Sequence, residues 1–166
     1  MHLLAREEIG LRCLLRVASR HGHGPVSISA VAGAEGLSNE YAAKILRCLR
    51  LGGLLSSTRG ASGGYRLARP PEAITVWQAI RILDRDSLPE SYCDCSPGER
   101  SDCARTTGCA IQSLWRRVGE SLRVTLEGIT LASLLDEVAE GVEQELEQET
   151  SLLVVDRAAT RPIVNG

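Results

Sequence analysis

Apolar residues recur at helical spacing from Leu3 to Ser19, with Leu4, Ile9, Cys13 and Val17 near one face, which predicts an amphipathic helix. His21-Gly22-His23-Gly24-Pro25 ends it, because Gly and Pro together cannot continue a helix. Ser27 is a candidate N-cap for a short helix through about Gly33 that buries Ile28, Val31 and Ala32. Gly36-Leu37 makes a tight connection, and Ser38 then caps a longer helix to about Leu51. Ala42, Ile45, Leu46 and Leu49 take core spacing there and leave Asn39, Glu40, Ala43, Lys44, Arg47 and Arg50 outward. Two helices joined by a short turn bearing Gly form a helix-turn-helix pattern.

Two short extended runs follow, Leu54 to Thr58 and Tyr65 to Ala68, around the glycine-rich tip Arg59-Gly60-Ala61-Ser62-Gly63-Gly64. This predicts a β-wing after the helix-turn-helix. A further helix, about Thr75 to Leu83, leads into a loop from Asp86 to Gly108. From Cys109 to Gly128, Ile111, Trp115, Val118, Leu122, Thr125 and Ile129 alternate at spacings of four and three, a coiled-coil seam. Another helix begins at Thr130 and runs into the acidic stretch Glu143-Gln144-Glu145-Leu146-Glu147-Gln148-Glu149. The predicted fold is mainly α with a small β-wing: a winged helix-turn-helix over residues 1–85, a cysteine-rich loop over 86–108, dimerisation helices over 109–140 and an acidic tail over 141–166.

Composition supports helices. The 166 residues are 43% hydrophobic but only 3% aromatic, with no Phe, so Leu, Ile, Val and Ala must build the core. No run approaches the roughly 18 consecutive apolar residues of a membrane-spanning helix. The N-terminus, with Glu7 and Glu8 early and no small-residue cleavage site, does not read as a secretory signal, so a cytoplasmic protein is expected. The net charge of −2 hides an asymmetry: residues 1–85 carry +6 and residues 86–166 carry −8. A front half attracted to a polyanion fits that division.

The helix-turn-helix and wing suit DNA. A recognition helix enters the major groove with its N-terminal residues at base edges, here Ser38, Asn39, Glu40 and Tyr41. Lys44 and Arg47 follow on the outward face, placed for phosphates or guanine. At the wing, Gly60, Ser62, Gly63 and Gly64 add little bulk and Arg59 supplies charge for a minor groove. No nucleophile–base pair, phosphate loop or paired catalytic carboxylate suggests an enzyme.

Of six cysteines, Cys13 and Cys48 sit in predicted helices as small apolar residues. Cys93, Cys95, Cys103 and Cys109 crowd into one polar loop with gaps of one, seven and five. Clustered thiols in a cytosolic chain bind metal or sense redox state more often than they form structural disulfides. Zinc favours paired C-x₂₋₄-C knuckles, and an irregular loop suits an iron–sulfur cluster. From spacing, a cluster, zinc and a metal-free thiol switch all remain open.

Two segments carry a family resemblance. They are Leu37-Ser38-Asn39-Glu40-Tyr41-Ala42-Ala43-Lys44-Ile45-Leu46 and Gly53 to Ala68 with its Arg59-Gly60-Ala61-Ser62-Gly63-Gly64-Tyr65 wing. These resemble the Rrf-two winged-helix regulators of the IscR and NsrR types, whose members carry a Y-x₂-K-I-L helix and an R-G-x₂-G-G-Y wing. Cys109 to Trp115 and Ile129-Thr130-Leu131 are similar to the ends of that family's long dimerisation helix, and the likeness extends over residues 1–140. It implies a bacterial homodimer on a pseudo-palindromic double-stranded DNA operator, acting as a repressor or activator. It also implies one iron–sulfur cluster per subunit, 2Fe-2S or 4Fe-4S, sensing redox state, nitric oxide or iron.

Cys103 and Cys109 match the final cysteine pair of the IscR type, and Cys93 or Cys95 the first. Where that type has a histidine this chain has Gln112. NsrR-type members instead draw a carboxylate from the partner's first helix, and Glu8 takes the matching position here. The resemblance therefore implies Glu8, or the second of Cys93 and Cys95, as the remaining ligand.

Overall fold

A computed structural model describes residues 5–60, 63–83 and 110–140. Its elements are α1 (Ala5–Ala18), α2 (Ile28–Glu35), α3 (Asn39–Leu51), β1 (Leu55–Thr58), β2 (Gly64–Leu67), a 3-10 turn (Pro71–Ala73), α4 (Val76–Leu83) and α5 (Ala110–Glu127). Residues 131–140 are also helical. The described residues are mostly helical with one small antiparallel sheet, the expected class.

Local chemistry sets the helix starts. The Ser27 hydroxyl accepts from the Ala30 N–H at 3.1 Å, and the Ser38 hydroxyl from the Tyr41 N–H at 3.2 Å. Each satisfies a donor that the first turn leaves without a partner. Thr75 and Gln78 cap α4 reciprocally: the Gln78 N–H donates to Thr75 Oγ1 at 3.3 Å and the Thr75 N–H to Gln78 Oε1 at 3.5 Å.

Helix α1 packs against α2, α3 and α4, and the core between them holds Leu14, Val17, Val31, Leu46, Leu49, Leu54, Ile74 and Leu83. Full burial of one such side chain is worth about 1.5–3 kcal/mol. Cys13 and Val17 are buried as expected, and Ile9 is half-buried. The buried face of α1 also takes in Glu7, which is 5% exposed. Val31 and Ala32 are buried, but Ile28 is only half-buried, because the first turn of α2 lies at the edge of the core. Leu4 lies outside the described residues.

The wing strands pair Leu55 with Leu67, Ser56 with Arg66, Ser57 with Tyr65 and Thr58 with Gly64. Leu54, expected to open the first strand, instead sits buried just before it. Val26, between α1 and α2, pairs with Tyr65 through two 2.8 Å backbone hydrogen bonds and so stitches the wing to the helices.

The chain returns to this core after α5. The Val76 N–H donates to the Ile129 carbonyl at 2.9 Å, the Leu131 N–H to the Ile74 carbonyl at 2.9 Å, and Leu131 is fully buried.

Candidate nucleic-acid interface and sensing site

The turn between α2 and α3 needs a residue without a Cβ. Gly36 has φ 66°, the left-handed region, and there the Leu37 N–H reaches back to the Ala32 carbonyl at 2.9 Å. That turn sets α3 with Ala42, Ile45, Leu46 and Leu49 inward and Asn39, Glu40, Lys44, Arg47 and Arg50 exposed. Among the described residues, Lys44, Arg47 and Arg59 make no ion pair, so their charge is available to a polyanion.

Ser38 and Tyr41 are placed differently from the outward set. The Ser38 oxygen is engaged in the cap, and Tyr41 is half-buried against the core. Tyr41 lies one position before Ala42, which is fully buried, so the helix turns its ring partly inward.

Arg59 and Gly60 lie exposed at the wing tip, and Ser62 is outside the described residues. Gly63 and Gly64 have an internal reason for being glycine. A Cβ on Gly63 would lie 2.5 Å from the Thr58 carbonyl oxygen, and one on Gly64 would lie 2.6 Å from the Val26 carbonyl carbon. The sequence alone suggested room for DNA; the packing shows backbone meeting backbone. Arg66, which the motif reading passed over, is exposed on β2 with its Nε donating to Ser56 Oγ at 3.3 Å. Strand alternation alone marks it as outward-facing.

Cys93, Cys95, Cys103 and Cys109 lie outside the described residues, and no group of three His, Cys, Asp or Glu side chains among the described ones is placed to hold a metal. Glu8 is described: its side chain is 64% exposed, 4.0 Å from Arg12, which itself ties α1 to Glu35 of α2 at 2.9 Å. Gln112 is exposed. Cys13 is fully buried, and burial first, then the Glu35 carboxylate, push its thiol up to about 11. Cys48 is half-buried with polar partners rather than a purely apolar packing residue. Arg6 Nη2 donates to its sulfur at 3.7 Å, and its S–H donates to the Ile82 carbonyl at 3.3 Å. It lines a cavity of about 520 Å³ with Arg6, Lys44, Arg47, Leu51, Gly52, Arg81 and Ile82. Sequence spacing missed the nearness of Arg6 and Arg81 to Lys44, because only the packing of three helices creates it.

On α5, Ile111 is 59% and Trp115 39% exposed, while Val118 and Leu122 are half-buried and Gly119 is buried. The predicted seam is thus divided: its first part is open and its middle borders the side of α5 turned toward the body of the protein. Leu114 is also 51% exposed. Arg123 clasps Glu120 at 2.7 Å and Glu127 at 2.9 Å, and its hydrogen bonding holds the Glu120 carboxyl below the usual range. No helix among the described residues is long and apolar enough to cross a membrane.

Comparison with known proteins adds four findings. Residues 3–137 match the model of the Rrf2 family, described as an iron-dependent transcriptional regulator. The protein Rrf2 of Nitratidesulfovibrio vulgaris is 35% identical over 135 residues, covering 81% of this chain and 87% of that one. CymR of Bacillus subtilis, described as a global cysteine regulator, is 33% identical over 81% of this chain and 89% of its own; its solved structure aligns with TM-score 0.66. The structure of T. potens IscR aligns with TM-score 0.69 at 30% identity, over 85% of this chain and 90% of that one.

Proposed function

Because the chain belongs to the Rrf2 family of DNA-binding transcriptional regulators, which are not enzymes, we propose that α3 and the wing read an operator as a homodimer under control of an iron–sulfur cluster. The observation that carries the DNA surface is the Ser38-capped α3, which presents Asn39, Glu40, Lys44 and Arg47 to solvent beside Arg59 of the wing. Ser38, Tyr41, Gly60, Ser62, Gly63 and Gly64 complete the proposed contact region, the glycines by holding the wing's shape. The exposed Ile111 and Leu114 support a dimer along α5, with Trp115, Val118 and Leu122 in the proposed seam. The absence of a long apolar helix among the described residues is consistent with action in the cytoplasm.

The donor set fits a cluster. Cys93, Cys95, Cys103 and Cys109 offer soft thiolates, and the exposed Glu8 offers a harder, more labile carboxylate to the partner subunit's site. When bound, the cluster supplies a centre whose gain, loss or modification by small molecules changes the protein's state. What this chain contributes in the bridged arrangement is a link. Glu8 sits on α1, and α1 packs directly on α3, so release of Glu8 frees a helix that abuts the recognition helix.

A second reading, a thiol regulator without a cluster, is favoured by Gln112 in place of a histidine ligand and by the similarity to CymR. Anaerobic purification with absorbance, iron and sulfide analysis separates the two. Brown protein that loses its colour in Cys103→Ser or Cys109→Ser supports the cluster. Colourless, iron-free protein that still binds its operator refutes the cluster and leaves the thiol reading. A cluster whose spectrum and lifetime in air are unchanged by Glu8→Ala removes the bridge, and closes the site within one subunit through Cys93 and Cys95.

A further inference from the structure

A second cavity, of about 580 Å³, lies where the end of α1 and the connector after it meet the base of the wing. Its size is that of a site for a small organic molecule. Segments remote in sequence supply its charge and polarity: Arg20 and His21 from the connector, Ser56 from β1 and Arg66 from β2. Arg20 and Arg66 are exposed and make no ion pair among the described residues. No described carboxylate lines the space, so two guanidiniums border it without a counter-charge.

The polar groups are already positioned. Arg66 Nε donates to Ser56 Oγ at 3.3 Å, which orients the guanidinium and leaves its two Nη groups to donate elsewhere. Ser56 accepts there through its oxygen and keeps its hydroxyl proton for another acceptor. In the connector, the His21 N–H donates to the Ala18 carbonyl at 2.9 Å and the His23 N–H to the Arg20 carbonyl at 3.0 Å. These turns hold Arg20 and His21 at the end of α1. Val17 and Leu67, both buried, give the cavity an apolar floor.

We propose that this cavity binds a small organic anion, a carboxylate or a phosphate monoester. Arg20, Arg66, His21 and Ser56 hold its charged head, and its short apolar stem covers Val17 and Leu67. Paired guanidinium donors suit either head group. A duplex phosphate would satisfy the same cations but brings no stem to the floor, so the floor favours the free molecule. The ligand then sits at the joint between the helices and the wing. The site itself does not depend on the wing's meeting DNA.

Butyl phosphate and pentanoate are the probes, titrated into the full chain at physiological ionic strength and followed by amide chemical shifts. At least one is expected to shift the Gly22, Gly24, Ser56 and Leu67 amides saturably, with a dissociation constant of about 10 mM or below. Which one binds names the head group. R20Q/R66Q removes two exposed guanidiniums and leaves the core intact. It is expected to weaken that binding about tenfold or more, through the loss of two charge-assisted contacts. R16Q/R69Q takes the same charge from outside the cavity and is expected to change it less than about twofold. The stemless counterpart, inorganic phosphate or acetate, is expected to bind at least about fourfold more weakly, the effect of one buried methylene. Three results overturn the site: neither probe shifts those amides, the two double variants lose binding equally, or the stemless anion binds as tightly. If neither probe binds while R20Q/R66Q lowers operator affinity and reduces its salt slope by about 2, the proposal is overturned in favour of duplex phosphates.

Discussion

Replacing Gly64 by alanine separates two reasons for a glycine in the wing. If the residue serves only DNA approach, the free protein does not notice the change. The packing argues otherwise. The added Cβ would lie 2.6 Å from the Val26 carbonyl carbon and 3.0 Å from the Ser27 nitrogen, both backbone atoms that cannot rotate aside. β2 must then withdraw from Val26, and the two 2.8 Å hydrogen bonds between Val26 and Tyr65 are weakened. Each is worth about 0.5–1.5 kcal/mol net, and the overpacking costs about 1–3 kcal/mol. The sum is about 2–6 kcal/mol. At roughly 2–4 °C per kcal/mol for a chain of this size, Tm falls by roughly 4–24 °C. Gly33→Ala is the control with the opposite sign: nothing lies within 4 Å of its Cβ position, and alanine within α2 stabilises by about 0.5–1 kcal/mol. Thermal unfolding followed by circular dichroism reads both, with operator titration at low temperature alongside. An unchanged Tm for Gly64→Ala together with lost DNA affinity would refute the reasoning and return the glycine to a DNA role.

Arg59→Ala should cost roughly 1–3 kcal/mol of operator affinity if the wing arginine makes a specific groove contact, measured by fluorescence anisotropy; affinity and salt slope both unchanged would exclude the wing. In a binding-site selection, Asn39→Ala should relax base preference whereas Lys44→Ala weakens all sites nearly equally, and a retained wild-type preference in Asn39→Ala would show that this residue reads no base. Leu122→Glu should yield monomers by sedimentation and weaken operator binding, since half-sites are then held separately; a dimer that persists places the interface elsewhere on the protein. The raised Cys13 thiol favours the folded state while protonated, so its contribution is complete below its unfolded value near 9 and is lost as pH rises toward about 11. Denaturant titrations of wild type and Cys13→Ala should converge over that window, and parallel curves would show that the thiol does not titrate there.

Features with a local cause were legible in the sequence. Ser27 and Ser38 cap helices because each hydroxyl reaches an N–H three residues on, a contact that neighbouring residues alone determine. The inward set of α3 followed from spacing, for Ala42, Ile45, Leu46 and Leu49 are the buried residues there. What escaped depends on contacts remote along the chain. The pairing of Val26 with Tyr65 is a single bridge with no alternating run to announce it. The half-buried Tyr41 and the divided exposure of the α5 seam depend on how each helix is rotated against its neighbours. Arg6 and Arg81 carry no motif at all, and only the meeting of α1, α3 and α4 places them beside Lys44. Cys93, Cys95, Cys103 and Cys109 lie outside the described residues, and spacing alone does not choose among thiol-binding cofactors.

The anchoring of Ile129 and Leu131 against Ile74 and Val76 gives α5 the mechanics of a lever. Its fulcrum is the buried Leu131, and its arm is the 18 residues from Glu127 back to Ala110, about 27 Å at 1.5 Å per residue. The far end of that arm, Ala110, is next in sequence to Cys109. A displacement of about 2 Å there, of the kind that packed helices make at interfaces, turns the arm by roughly 4° about Leu131. Its force is delivered to the start of α4, through hydrogen bonds that belong to the same core as α3. Any displacement of that end would be geared down into a fraction of an ångström with high leverage at the fulcrum, where a close-packed interior yields least and passes strain on.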